Sequence, residues 1–360
     1  MNKITIIQPD DWHCHLRDYP YLERTVTDAA LQFEQAVVMP NLVPPITTVA
    51  QAKAYYERIK QHIPANSKFT PLMTLYLTDT LSPKEIKAAK QSNFIIAFKL
   101  YPMGTTTHSR LGIKSFQKIY SIIEALQSMD LPLLIHGETI DPTIDIFDRE
   151  AVFIERELTY LIKHFPNLRM VLEHISTKIA VDFITETALP TLAATITPHH
   201  LWLTRDHLLK GGLRPHYYCL PILKTSSDQA ALIQAAISGN PKFFLGTDSA
   251  PHPKIEKESA CGAPGIYSAP AAIEIYTELF DRYNALDKLE GFASRFGARF
   301  YGLPINAKKI TLVKQTWRVA QALPFGSDTV IPLLAGEILN WRISRTLPLK
   351  DHLKIETYDL

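Results

Sequence analysis

Six residues spread over 360 positions carry side chains suited to holding cations: His13, His15, Lys99, His136, His174 and Asp248. His13 and His15 are two residues apart. Side chains of an extended segment alternate with period two, so both imidazoles face one side and can bind one borderline-soft metal together. His136 and His174 can supply a second metal, and Asp248 adds a carboxylate. Imidazole and carboxylate ligands suit zinc, and also manganese, cobalt or iron. Lys99 is the odd member, because an ammonium cannot ligate a cation and two metals would repel it. It fits if neutral, or if its nitrogen is carboxylated to a carbamate whose two oxygens bridge metals about 3.5–4 Å apart. Taken singly, each of these residues has a plainer reading as a buried polar or salt-bridged side chain.

Their places among the elements change that reading. Eight short apolar runs recur: Ile4–Gln8, Gln35–Met39, Pro71–Leu77, Phe94–Leu100, Pro132–Ile135, Arg169–Leu172, Leu192–Ile196 and Phe243–Leu245. Each is nearly continuous in hydrophobicity, as suits parallel strands buried on both faces. Helical stretches lie between them. Ser82-Pro83-Lys84-Glu85 reads as a capping box, Asp148–Phe165 as a helix with an acidic N-cap, and Ser226–Ser238 as a helix closed by Gly239. This alternation predicts an α/β fold, a (β/α)₈ TIM barrel, with an open doubly wound sheet as the runner-up. Beyond Ala269, helices are expected over Ala269–Tyr283 and Leu286–Phe296, with short strands or ordered loops over Thr311–Ala320 and Thr329–Leu334. No linker marks a boundary, so residues 1–360 are expected to form one domain, with an extension from about 300 to 360 packed on the barrel and no separate β-sandwich.

In such a barrel the strand C-termini converge on one face. The first run leads into His13-Cys14-His15, the second ends in Asn41, the fourth in Lys99, the fifth in His136, the sixth in His174 and the eighth in Asp248. His199 and His200, after the seventh, are expected to be supporting or structural. Cys14 points away from its flanking histidines and reads as packing. Cys219 and Cys261 have no base nearby in sequence.

Composition narrows the setting. The chain is 46% hydrophobic and 21% charged with a formal net charge of +2, which gives no basis for a nucleic-acid or membrane surface. Three cysteines do not make a disulfide framework. The start reads as too short and acidic for a secretory signal. A reduced cytoplasmic enzyme acting on a small molecule is expected.

The segments PDDWHCHLRD (Pro9–Asp18), VMPNLVPP (Val38–Pro45), KLYP (Lys99–Pro102), LLIHGE (Leu133–Glu138), LEHI (Leu172–Ile175), GGLRPHYYCLPILK (Gly211–Lys224) and LGTDSAPH (Leu245–His252) occur in this order. Together they resemble the amidohydrolase superfamily and, within it, the single-barrel bacterial dihydroorotases. Only 12 residues precede His13, which favours this compact type over hydantoinase-like relatives with a longer leader.

The resemblance implies reversible cyclisation of N-carbamoyl-L-aspartate to L-dihydroorotate in pyrimidine biosynthesis, by a homodimer with two zinc ions per subunit. His13, His15 and Asp248 would hold one zinc, His136 and His174 the other, and carboxylated Lys99 would bridge them together with a hydroxide. Asp248 would also shuttle the proton. Arg17, Asn41 and His252 would recognise the α-carboxylate. A loop from Pro102 to Gly112 would close through Thr106 and Thr107, and the backbone at Leu220 and near Pro264 would contact the ring.

Four positions depart from the expected pattern; Met103 and Gly104 vary the loop stem, and none removes a ligand. Cys14 replaces a leucine, and Pro264 stands where a free N–H is expected, so a contact there must use a carbonyl or a neighbour. Other readings are a hydantoinase- or allantoinase-like cyclic amidase, or a non-catalytic barrel that partners another enzyme. Arg17 with Asn41 and His252 favours a substrate bearing a carboxylate, and the complete ligand set disfavours a non-catalytic role.

Overall fold

The computed structural model describes residues 1–344. Eight parallel strands are paired in chain order: β2 (Asp11–Cys14), β3 (Gln35–Val38), β4 (Thr70–Tyr76), β5 (Ile95–Leu100), β6 (Leu133–Ile135), β7 (Met170–Leu172), β8 (Leu192–Ile196) and β9 (Phe243–Leu245). Just past β9 the sheet returns to β2: Asp248 N–H donates to His13 O at 2.8 Å and His15 N–H to Ser249 O at 2.9 Å. The result is the expected (β/α)₈ barrel, with β3 to β9 matching the expected runs; only β4 begins one residue before its run, at Thr70. Helices Leu22–Gln32, Val49–Lys60, Pro83–Gln91, Tyr120–Ser128, Lys178–Glu186, Ser226–Ile237 and Ala272–Arg282 are among those that separate or follow the strands.

The first strand differs from expectation. The run at Ile4–Gln8 forms β1 (Lys3–Ile7), which lies outside the barrel and pairs antiparallel with β10 (Lys309–Arg318); β10 in turn pairs with β13 (Ile338–Ile343). The physical reason is visible in Lys3-Ile4-Thr5-Ile6: polar and apolar residues alternate, which suits a half-solvated antiparallel strand. The true barrel strand is the short, polar Asp-Trp-His-Cys segment. Strands β11 (Leu323–Phe325) and β12 (Asp328–Val330) make a hairpin. The extension thus forms small antiparallel sheets on the barrel; its last residues, 345–360, lie outside the described residues.

Inside the barrel, Trp12, Val37, Leu72, Ala97, Leu134, Val171, Ala193 and Phe244 pack as one layer with Ala298 and Tyr301. Trp12 stacks on Tyr301 with centroids 4.7 Å apart, so the helix Phe296–Tyr301 plugs this end. A Cβ at Gly297 would lie 2.1 Å from the Trp12 indole nitrogen, and only glycine lets the plug seat. One pleat further along are Lys99 after Ala97, His136 after Leu134, Glu173 after Val171 and Thr195 after Ala193. The plugged layer is the floor on which the polar layer stands.

Two local expectations change. Ser82 accepts from Glu85 N–H at 3.3 Å, but the Glu85 carboxylate does not return to Ser82. It takes Val49 N–H at 2.9 Å, satisfying the start of the neighbouring helix instead. Asp148 makes no capping bond, and the helix it precedes contains a π-turn at Ile154–Leu158.

Candidate metal centre

His13, His15, Arg17, Asn41, Tyr101, Thr106, Thr107, His136, His174, Leu220, Asp248, Ala250, Pro264 and Gly265 line one small cavity at the strand C-termini. Local backbone irregularities aim several of them. A register shift between Asp11 and Cys14 bulges β2 beneath His13. Arg17 (φ 59°), His174 (φ 42°) and Asp248 (φ 44°) adopt the left-handed conformation. Such backbone costs about 1–3 kcal/mol per residue and persists where the surroundings enforce it, commonly at functional sites. At His174 the turn lets Glu173 and His174, adjacent in sequence, both reach the site.

The hydrogen-bond partners assign the ring tautomers. His13 Nδ1 is 2.8 Å from Glu173 Oε2, so Nδ1–H donates and Nε2 keeps a bare lone pair. His15 Nδ1 donates to Asn41 Oδ1 at 2.8 Å, which leaves Nε2 bare 3.0 Å from Asp248 Oδ1. His136 Nε2 donates to Glu138 Oε2 at 2.9 Å, which leaves Nδ1 bare 3.2 Å from His174 Nε2. An acceptor therefore points at an acceptor between His15 and Asp248 in a buried cavity, whereas His136 Nδ1 can accept from His174 Nε2 when no metal is bound. His13 Nε2, His174 Nδ1 and Lys99 Nζ have no hydrogen-bond partner at all.

Burial lowers the pKa of His15 to about 3 and those of His136 and His174 below the usual range, so these rings are neutral at pH 7. Burial alone would raise the Asp248 pKa; the imidazoles of His15, His13 and His174 around it outweigh that, and the carboxyl stays well below its usual value.

Uncompensated lone pairs converging in this way are what bound cations would resolve. Ligand atoms of His13, His15 and Asp248 all lie within 4.8 Å of one another. Two nitrogens each about 2.0–2.1 Å from one tetrahedral zinc are roughly 3.4 Å apart, close to the His136–His174 separation. The residues present fit a pair of metals. Lys99 is fully buried beneath the cavity, and burial lowers its pKa to about 8. An amine in that state is readily neutral, as a carboxylated lysine requires of its precursor.

Arg17 stands on one side of the cavity. Its Nε donates to Pro251 O at 2.8 Å and its terminal nitrogen to His252 Nε2 at 2.9 Å. His252 Nδ1 faces Glu256 at 3.1 Å, and burial lowers the ring pKa to about 4. Asn41 is committed at both ends, since Nδ2 donates to Thr107 O at 3.0 Å. The Thr107 hydroxyl donates to Pro264 O at 3.2 Å, which lays the loop across the opening. The Pro264 carbonyl faces His252 and Thr107, in line with the expectation that proline there can offer only an acceptor. The structure thus brings every expected site residue except Lys99 and His252 into the cavity lining, with those two directly behind it.

Four residues escaped the sequence reading. Glu173 and Glu138 hold His13 and His136. Asp11 receives Thr247 N–H at 2.8 Å and fixes the turn before Asp248. Tyr101 lines the cavity. The available signal was a glutamate beside a ligand in Leu-Glu-His-Ile and near one in His-Gly-Glu. Ligating atoms of His199, His200 and Cys219 also gather within 4.8 Å. There His200 is engaged by Thr197 and Pro221 O, and the Cys219 thiol donates to Pro221 O at 3.3 Å.

No protein-family model matches the chain. It is 67% identical to a dihydroorotase of Coxiella burnetii over 343 residues, covering 95% of this chain and 98% of that protein. It is 55% identical to a dihydroorotase of Pseudomonas fluorescens, covering 95% and 98%. Among solved structures, a dihydroorotase of Campylobacter jejuni aligns with TM-score 0.88 at 37% identity, covering 96% of this chain and 98% of that one. An L-hydantoinase of Arthrobacter aurescens aligns with TM-score 0.80 at 16% identity, covering 95% and 83%, a likeness of fold alone. On this similarity across nearly its whole length, the chain belongs to the dihydroorotase family of the amidohydrolase superfamily.

Proposed function

We propose that the cavity interconverts N-carbamoyl-L-aspartate and L-dihydroorotate with a pair of zinc ions, held by His13, His15 and Asp248 and by His136 and His174, with Lys99 carboxylated between them. The observation that carries this reading is the placing of bare imidazole nitrogens and the Asp248 carboxylate beside the Arg17 guanidinium in one cavity. Bound zinc would supply Lewis-acid polarisation of the scissile carbonyl and a lowered pKa for water.

The chain's own residues do the rest. Arg17, with its planar fork, and His252 take the α-carboxylate. Asn41 orients His15 and joins the carboxylate contact when Nδ2 exchanges Thr107 O for it. Thr106 and Thr107 close the opening and exclude water. The Leu220 backbone and the Pro264 carbonyl seat the ring. In the hydrolytic direction the Asp248 carboxylate accepts the proton of the attacking water and hands it to the leaving ring nitrogen; in cyclisation the same transfers run in reverse.

An uncharged hydantoin would leave Arg17 without a counter-charge. The 5-fluoroorotic acid complex of a Saccharomyces cerevisiae dihydroorotase, 34% identical with TM-score 0.88, supports a pyrimidine carboxylate as the ligand class. All three cysteines are free, which supports a reducing cytoplasmic setting. Among the described residues no helix is long and apolar enough to cross a membrane. The resemblance extends the reading to a homodimer.

The test is turnover of both compounds with metal content determined on the same sample. Activity in both directions with close to two zinc ions per chain is expected. Two metals without activity would redirect the search to other cyclic amides.

A further inference from the structure

Lys257 is 3% exposed, and among the described residues it forms no ion pair. Its Nζ donates instead to three main-chain carbonyls: Tyr218 O at 2.7 Å, Ala263 O at 2.8 Å and Gly265 O at 2.7 Å. Three donors are what an ammonium has, so the contacts call for the charged form. Burial pulls the pKa down to about 7, and the Arg17 guanidinium acts in the same direction; the three carbonyl dipoles oppose that pull. A buried charge is retained at such cost where its hydrogen bonds hold something in place.

What these bonds hold is the cavity wall. Tyr218 lies two residues before Leu220, in the segment that follows β8. Ala263 and Gly265 flank Pro264, in the segment that follows β9. Gly265 N–H also donates to Tyr218 O at 2.9 Å, stitching the two segments together. At Gly265 (φ 151°) a Cβ would lie 2.4 Å from Ala250 O, so this wall runs hard against the strand end that carries Asp248. Between the two gripped carbonyls, Pro264 O turns the other way. It faces His252 Nε2 at 3.1 Å and the Thr107 hydroxyl at 3.2 Å.

We infer that Lys257 is a positioning residue for substrate: its ammonium, bonded to three carbonyls behind the wall, sets the Pro264 carbonyl and the Leu220 backbone against the ring and fixes the seat on which Thr107 closes. This rests on the proposed reading of the cavity. The residue touches neither a candidate metal ligand nor the reacting atoms, so its loss acts on binding.

The test uses the zinc-loaded full chain with Lys257→Met and, in case the buried methionine impairs folding, Lys257→Gln, which retains two donors. The expected result for Lys257→Met is a KM raised roughly tenfold or more for both N-carbamoyl-L-aspartate and L-dihydroorotate. Metal content should be unchanged and kcat should change far less. Lys257→Gln should recover part of the KM. Unchanged KM in the folded variants, with only a lowered melting temperature, would overturn the inference and leave Lys257 a structural residue. An inactive wild-type enzyme carrying two metals would instead overturn the reading of the cavity itself.

Discussion

Glu173 and His13, 160 residues apart in the chain, meet across the barrel mouth at 2.8 Å. The same Glu173 oxygen takes the Thr195 hydroxyl at 2.6 Å, so the carboxylate is itself held. It fixes the His13 tautomer and makes Nε2 a stronger ligand. Outer partners of this kind support metal affinity by about 10–100-fold. Glu173→Gln keeps the size and loses the charge. Its metal retention after dialysis against a chelator series should fall by that factor with the fold intact. Unchanged retention would reduce Glu173 to a packing residue.

Arg17 is prepared rather than free: Pro251 O and His252 fix its plane before substrate arrives. Tyr55 OH further anchors the Arg17 carbonyl. Arg17→Lys keeps the charge but loses the fork. A charged hydrogen bond is worth about 1.5–3 kcal/mol, or roughly 10–100-fold in KM. KM for N-carbamoyl-L-aspartate should rise by that order with unchanged metal content. A variant with normal KM would place the carboxylate elsewhere.

How much of this was legible in the sequence depended on whether the cause was local. Strands β3 to β9 showed because a strand buried on both faces must be apolar throughout. β2 did not, because Asp11-Trp12-His13-Cys14 spends its residues on a tyrosine-stacked plug, a turn anchor and a ligand. β1 was misplaced and β13 unseen, because their pairing joins residues 3–7 to 309–343, and only the alternation in Lys3–Ile6 hinted at it. At the site, the ligands were visible as chemistry at strand ends. Glu173 and Glu138 were visible only as glutamates. Which ring nitrogen each would meet is set by barrel closure, as is the grip of Asp11 on Thr247.

Lys99 offers a direct test of the carbamate. Its Nζ is buried without a hydrogen-bond partner, so Lys99→Ala leaves a cavity with no bridging group. Metal content should drop well below two per chain. Added acetate or propionate should restore part of the activity by placing a carboxylate where the proposed carbamate would lie. Full metal content in the variant would remove Lys99 from the ligand set.

Asp248→Asn separates proton transfer from binding. The amide oxygen can still face His15 and His13, but it cannot carry the proton. General acid–base catalysis contributes about 10²–10⁴-fold, and kcat should fall by at least that factor while KM stays within a few-fold. The check is steady-state turnover in both directions on samples of measured metal content. Near-normal turnover would assign the proton to another group.

Asp10 lies outside the cavity and makes stability, rather than activity, depend on pH. It is 1% exposed; Oδ1 accepts from Asn306 at 2.7 Å while Oδ2 has no partner. Burial raises its pKa from 3.8 to about 7, against the Asn306 bond, which lowers it. The folded state therefore keeps a proton that the unfolded chain releases near pH 4. The unfolded state binds fewer protons over that interval, so this group's contribution falls as pH rises from about 4 to about 7 and is level beyond. Asp10→Asn is neutral throughout and its amide oxygen can still accept from Asn306. The variant should melt at a higher temperature than the parent above pH 7, by a margin on the order of a few kcal/mol, and the margin should shrink steadily toward pH 5. Thermal melts of both proteins at matched metal content, stepped from pH 5 to 8, measure it. A margin that does not vary with pH would show that Asp10 is ionised in the folded protein across that range and that its burial is compensated by groups other than a bound proton.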